Sequence, residues 1–270
     1  MKSIIDDATV KNEKIEDRLE DFGSPKIMVV GAGGAGCNAV NRLANMGISG
    51  AQLVAVNTDK QHLAIINDEL TKILIGKSVT RGLGAGGYPE IGAKAAEVSR
   101  GALEEVLHGV DMLFISCGMG GGTGTGSAPI IAKIAKEQGA IVIGIVTYPF
   151  ALEKARLIKP EEGIEALRQA TDTVVVIDNN RLVELVPNLP IQDAFRVADE
   201  VIARTVRGIT ETITQPSLIN LDFADVRTVM KDAGPAWMSI GRGSGQNRAR
   251  DAAKDALSSP LLEVSIEGAK

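Results

Sequence analysis

The sequence predicts a doubly wound α/β protein built on a mostly parallel, Rossmann-like sheet. Three features carry that reading: short apolar runs without polar interruption, helical segments between them, and glycine clusters where a run gives way to a helix. The runs are KIMVV, QLVAV, TKILI, DMLFIS, AIVIGIVT and DTVVVI, beginning at Lys26, Gln52, Thr71, Asp111, Ala140 and Asp172. A strand covered on both faces has no solvent side, so its pattern does not alternate. Helical periodicity over 34–46, 89–108, 123–138 and 160–170 supplies the right-handed crossovers that parallel neighbours require. The ligand of such a sheet lies beyond the carboxyl ends of its strands, where the connecting loops gather.

The chain divides into four parts. Residues 1–24 carry mixed charge, with Ile4, Ile5, Val10, Ile15, Leu19 and Phe22 at helical spacing, and read as an amphipathic leader helix. Residues 25–190 hold the α/β domain. Between Pro190 and Pro216, IQDAFRVADEVIARTVRGITETI repeats apolar residues three and four apart, which predicts one long helix over 191–216. In 217–270, DFADVRTVMKDAG reads as a helix, AWMSIG as a strand and NRARDAAKDALSS as a further helix. A lone strand with its helix cannot satisfy its own backbone groups, so this part reads as the start of an incomplete second α/β domain.

Composition excludes several classes. With 270 residues, 44% of them hydrophobic, the chain can bury a large core. A net charge of −5 without a basic stripe argues against a nucleic-acid partner. Neither a signal pattern nor an apolar run of roughly 18 residues is present, so a cytoplasmic protein is expected. Cys37 and Cys117 lie beside glycine in apolar settings and read as packing residues, and the chain has only 2 histidines. No metal site of the protein's own is expected.

Chemistry concentrates in three glycine loops. GAGGAG at 31–36 follows a strand and opens a helix; with Asp59 downstream it satisfies a dinucleotide-binding pattern. Taken alone, it would fit an NAD-dependent oxidoreductase. The second loop, GMGGGTGTG at 118–126, changes the balance. Its glycines let consecutive amides converge, its threonines add hydroxyl donors, and the following helix contributes roughly 0.3–1 kcal/mol toward an anion. So much glycine between a buried strand and a helix would cost folding entropy with no return unless a ligand bound there. A third loop, TRGLGAGGYPEIG at 80–92, ends at a helix start marked by Pro89. Three such loops over one sheet edge imply a polyphosphate. GKS at 76–78 is not a P-loop, because Thr71 occupies the position of the required upstream glycine.

At these motifs the chain resembles a known family. GMGGGTGTG is similar to the signature of the tubulin/FtsZ superfamily. GAGGAGCNAVNRL, NTDKQHL, TRGLGAGGYPEIG, PFALE, DAFRVADEV and NLDFADVRTVM resemble its successive prokaryotic motifs in order, in an archaeal-type pattern. The resemblance implies a GTP-binding domain over 25–190, with GTP or GDP as ligand and Mg2+ carried by the nucleotide. By the same resemblance Gly34, Ala35, Gly36 and Asn38 line the α- and β-phosphates, and Gly121, Gly122, Thr123, Gly124 and Thr125 wrap the rest. Ala85, Gly86 and Gly87 approach the γ-phosphate. Glu153 matches the ribose-binding acid and Arg156 its companion arginine, although EKAR is one residue shorter here than the family pattern.

Guanine presents two adjacent donors, N1–H and the exocyclic amine, which one carboxylate can accept together. Asp199 fits that role, with Asn179 at the base edge and Phe195, one helical turn before Asp199, against its face. Asn220, Asp222 and Asp225 are expected to complete hydrolysis in a neighbouring subunit, although Asp222 also reads as a helix N-cap. The implied protein is a GTPase that forms a head-to-tail homopolymer for cell division, at the division site, meeting the membrane only through adaptor proteins. The alternatives are the NAD-dependent oxidoreductase and a filament-capping fragment without activity of its own.

Overall fold

The computed structural model describes residues 25–153, 160–181, 190–214, 222–236, 239 and 241–258. The leader over 1–24, together with Arg156 and Asn220, lies outside them. All six apolar runs are strands: β1 (Ile27–Ala32), β2 (Ala51–Asn57), β3 (Thr71–Leu74), β4 (Met112–Gly118), β5 (Ile141–Tyr148) and β6 (Thr173–Asp178). With β7 (Gly234–Ala236) they form a seven-stranded sheet in the order β3-β2-β1-β4-β5-β6-β7, every pairing parallel.

Alternate side chains of the central strands leave on opposite faces, and both faces are covered. Met28, Val30 and Ala32 join one core, whereas Ile27 and Val29 join the other. The first core is closed by α4 (Pro89–Glu97), α5 (Arg100–Val106), α6 (Thr123–Glu137) and α7 (Pro160–Ala170), through residues such as Ala95, Leu103, Ile131 and Leu167. The second is closed by α1 (Gly33–Met46), the long α8 (Ile191–Thr214) and α9 (Phe223–Met230), through Val40, Leu43, Ile202, Val206 and Val226. Short helices α2 (Lys60–Ile65) and α3 (Lys77–Thr80) flank β3. A further helix, α10 (Arg248–Leu257), buries none of its residues.

Two expectations are corrected. The helix anticipated over 89–108 is two helices, because Ser99 leaves helical geometry and its hydroxyl accepts the Gly76 N–H at 2.9 Å. The strand anticipated at AWMSIG starts earlier and is not alone. The Gly234 N–H donates to Asp172 O at 2.9 Å and Ala236 pairs with Val175, so β7 extends the main sheet. Trp237, Met238 and Ile240 lie outside the described residues, and neither Ser239 nor Gly241 is in a strand.

Helix α6 is held against α4 by glycine. A Cβ on Gly126 would stand 1.9 Å from Pro89 O, and one on Gly92 would stand 2.3 Å from Gly122 O. These are backbone obstacles that cannot rotate away, so the two helices touch main chain to main chain. In an isolated helix Gly126→Ala would gain about 1 kcal/mol from propensity. Here overpacking against backbone atoms should cost about 3 kcal/mol, the upper end of the usual range, leaving a net loss of about 2 kcal/mol and a thermal midpoint lower by several degrees. A midpoint that rises in Gly126→Ala would show that the close approach is absent.

Candidate functional site

The sheet order reverses between β1 and β4. From β1 the chain moves outward through β2 to β3, then returns to lay β4 on the other side of β1. Loops leaving the carboxyl ends of these two strands diverge and open a crevice. The loops are GAGGAG and GMGGGTGTG, and each runs directly into a helix, α1 at Gly33 and α6 at Thr123. Two helix N-termini therefore face one space, with unpaired N–H groups and positive dipole ends.

That space is a cavity of about 710 Å³, of a size to hold a nucleotide. Its floor is Gly34, Ala35 and Asn38 from the first loop, with Gly121, Gly122, Thr123 and Gly124 from the second. Ala85, Gly86 and Gly87 of the third loop form one wall, and Glu153, Asn179, Phe195 and Asp199 form the far end. Gly36 and Thr125 stand apart from the lining. The helix turns them inward: a Cβ on Gly36 would meet Ser116 O at 2.2 Å, and the Thr125 methyl packs toward Gly163 of α7. Asp222 and Asp225 are also absent from the lining.

The far end has the groups of a base clamp. Asn179 is only 4% exposed and its Oδ1 has no hydrogen-bond partner. A buried acceptor left unmade costs about 1–3 kcal/mol, so this atom points to a donor supplied by a ligand. Asp199 lies across the cavity on α8. Burial pushes its carboxyl up to about 7, against the opposing pull of the Arg42 charge. Phe195 packs edge-on against Phe150 with ring centres 5.0 Å apart, leaving part of its ring open. Glu153 is fixed by a reciprocal turn: the Phe150 N–H donates to its Oε1 at 3.1 Å and its own N–H donates to Phe150 O at 2.8 Å.

Several lining residues escaped the sequence reading. Asn57 ends β2 and His62 follows it, and Arg196 lies between Phe195 and Asp199. Thr58, fully buried beside them, places its Oγ1 2.6 Å from Thr123 Oγ1, tying the β2 loop to the start of α6. Their signal was NTDKQHL at the carboxyl end of a predicted strand. Asp59, the candidate ribose acid of an oxidoreductase, is engaged as the N-cap of α2, accepting from Gln61 N at 2.8 Å and His62 N at 3.2 Å. The cysteines are packing residues: both are buried, and burial pushes their thiols up to about 12.

Helix α8 runs away from the cavity. Phe195 and Asp199 near its start line the site, while Thr214 at its end abuts Gly50, just before β2 begins. Its 24 residues span about 36 Å, so α8 crosses the domain from the carboxyl edge of the sheet to the amino edge. Asp222 opens α9, the helix tied to that edge where the Thr173 hydroxyl, at the start of β6, donates to Met230 O at 2.7 Å. It caps α9, accepting the Ala224 N–H at 2.8 Å, and both it and Asp225 are exposed.

Residues 26–187 match the GTPase domain of the Tubulin/FtsZ family and residues 234–270 match the FtsZ family C-terminal domain. The chain is 54% identical to "Cell division protein FtsZ 2" of Methanocaldococcus jannaschii, covering 99% of this chain and 71% of that protein. It is also 54% identical to "Cell division protein FtsZ 1" of Thermococcus kodakarensis, over 96% of this chain and 69% of the relative. Among solved structures, an empty FtsZ dimer from M. jannaschii superposes with a TM-score of 0.90 at 49% identity, covering 96% of this chain and 75% of the other. With its parallel sheet, its paired glycine loops and these matches, the chain belongs to the Tubulin/FtsZ family of GTPases.

Proposed function

We propose that this chain binds GTP in the cavity, hydrolyses it to GDP and phosphate, and self-assembles head to tail into the filaments of cell division. The observation that carries the reading is the pair of glycine loops at two helix N-termini, opposite an unpartnered, buried Asn179 Oδ1 and the Asp199 carboxylate. The glycine loops suit phosphates, and the clamp suits a base with adjacent donors. Guanine offers N1–H and its amine to Asp199, whereas adenine would set an acceptor against the carboxylate. Glu153 holds the ribose and Phe195 covers the base. Mg2+ arrives on the nucleotide; among the described residues no group of three or more His, Cys, Asp or Glu side chains could hold a metal. The oxidoreductase alternative rests on the first glycine loop and Asp59 alone, and it gives the second glycine loop no role.

Hydrolysis of a phosphoanhydride asks mainly for an aligned water and charge stabilisation. The cavity supplies the second through its amides. For the first, Asp222, Asp225 and Asn220 are suited to orient water; the two aspartates stand away from the cavity, and Asn220 is assigned with them by resemblance. A neighbour stacked pole to pole presents its carboxylates to this cavity, so each active site is shared between two copies. Arg156 stays assigned beside the ribose by resemblance. No described helix is long and apolar enough to cross a membrane, and adaptor proteins would bring the polymer to the division site.

Asp199 gives the nucleotide affinity a definite pH dependence. Guanine needs the ionised carboxylate, and the ligand-free group titrates at about 7. Binding below that pH must release a proton, so GDP affinity should fall as pH drops through 7, approaching tenfold per unit. Isothermal titration from pH 8 to 6 reads the slope; a flat profile would remove Asp199 from the base. Asp199→Asn should weaken GTP and favour xanthosine triphosphate, whose base offers an acceptor where guanine has an amine.

The phosphate cradle has its own test. A Cβ on Gly121 meets nothing within 4 Å, whereas one on Gly122 would stand 2.8 Å from Tyr88 N. Gly121→Val should therefore keep the fold while filling the cradle, and GDP should no longer raise its thermal midpoint. A midpoint shift as large as the wild type's would refute the cradle.

A further inference from the structure

His62 lines the cavity wall beside Asn38, and a chain of hydrogen bonds fixes which of its nitrogens carries the proton. The chain starts at Asn57, buried at the end of β2. The Thr58 N–H lies 2.8 Å from Asn57 Oδ1 and the Asp59 N–H 3.3 Å. Backbone N–H groups only donate, so that atom must be the amide oxygen. Asn57 Nδ2 is then a donor, and it stands 3.0 Å from His62 Nδ1. Nδ1 must accept, which leaves the ring neutral with its proton on Nε2. Nε2 lies 3.0 Å from Asn38 Oδ1 and donates to it.

The far end of Asn57 is anchored as well. Its Nδ2 also points at Cys37 Sγ at 3.9 Å, and that sulfur lies 3.6 Å from both Gly31 O and Val56 O. The relay therefore runs from the end of β2, beside Cys37 of α1, to Asn38 on the first turns of the same helix. From Asn57 to Asn38 every donor and acceptor is assigned, and Asn38 Nδ2 is left over. No described residue accepts from it, on a residue that lines the cavity.

We propose that His62 is a positioning residue for the phosphates: by donating to Asn38 Oδ1, it holds the Asn38 amide with its Nδ2 hydrogens toward the cavity, where they donate to an anionic phosphate oxygen. The inference rests on the nucleotide reading above and adds to it a residue that touches the ligand only through another. Without the His62 donor the Asn38 amide is free to turn its oxygen toward the phosphates, which replaces an attraction with a repulsion. The His62 ring also lies 3.9 Å from where a Cβ on Gly34 would stand, so the same side chain flanks the floor of the cradle.

The test compares GDP with guanosine, which lacks phosphates. His62→Leu keeps bulk but removes the donor, and should weaken GDP about tenfold, the lower end of what one hydrogen bond to a charged group is worth. Guanosine affinity should not change. His62→Gln, whose amide nitrogen can reach the place of Nε2, should restore GDP binding. In an Asn38→Ala background His62→Leu should cost nothing further, since the route through Asn38 is already cut. A purely structural role would instead lower GDP and guanosine affinity together, and additive losses in the double variant would equally overturn the relay. If wild type binds GDP and His62→Leu binds it as well, the inference fails alone. A wild-type chain that binds no GDP sinks the nucleotide reading and the relay with it.

Discussion

The structure depends on two helix N-termini meeting over one reversal of the sheet. Parallel strands cannot be joined by tight turns, so each loop must travel, and at the β1–β4 boundary two loops travel apart. The helices that follow start with unpaired N–H groups directed into the gap. Such groups repel one another and favour an anion between them. The glycines are what allow the main chain to come this near, both to a ligand and to the neighbouring helix. Helix α4 shows the same constraint from outside, since Gly92 and Gly126 press it against α6 and so hold the third loop over the cavity.

The second determinant is the length of α8. One helix begins at the cavity and ends at the opposite edge of the sheet, and Glu200 braces it by ion pairs to Arg42 of α1 and to Arg204. On the proposed reading, specificity and catalysis fall at two poles of one body: a subunit that recognises guanine at one end offers carboxylates at the other, so a polymer can complete what a monomer cannot.

Much of this was legible in the sequence because its cause is local. A strand buried on two faces must be apolar throughout, and a phosphate loop must be rich in glycine, so six strands and three loops are written in consecutive residues. What escaped was decided at a distance. Ser99 breaks a helix because Gly76, 23 residues earlier, needs an acceptor. Thr58 matters through Thr123 and His62 through Asn38, contacts separated by 65 and 24 positions. Gly36 and Thr125 were grouped with their neighbours as phosphate contacts, yet helical rotation turns them toward the sheet and α7. The edge strand β7 is three residues long and is defined by pairing with β6, which no local pattern encodes.

The central claim is that each site is built from two copies. It is tested most directly by mixing two inactive variants, Gly121→Val, which keeps its carboxylates but has a filled cradle, and Asp222→Asn. The second keeps its nucleotide site and, because asparagine also caps helices, keeps α9 in place. GTP hydrolysis should return on mixing and rise with protein concentration. If the two variants co-sediment as a mixed polymer and phosphate release stays at the level of either one alone, the division of labour between poles is contradicted.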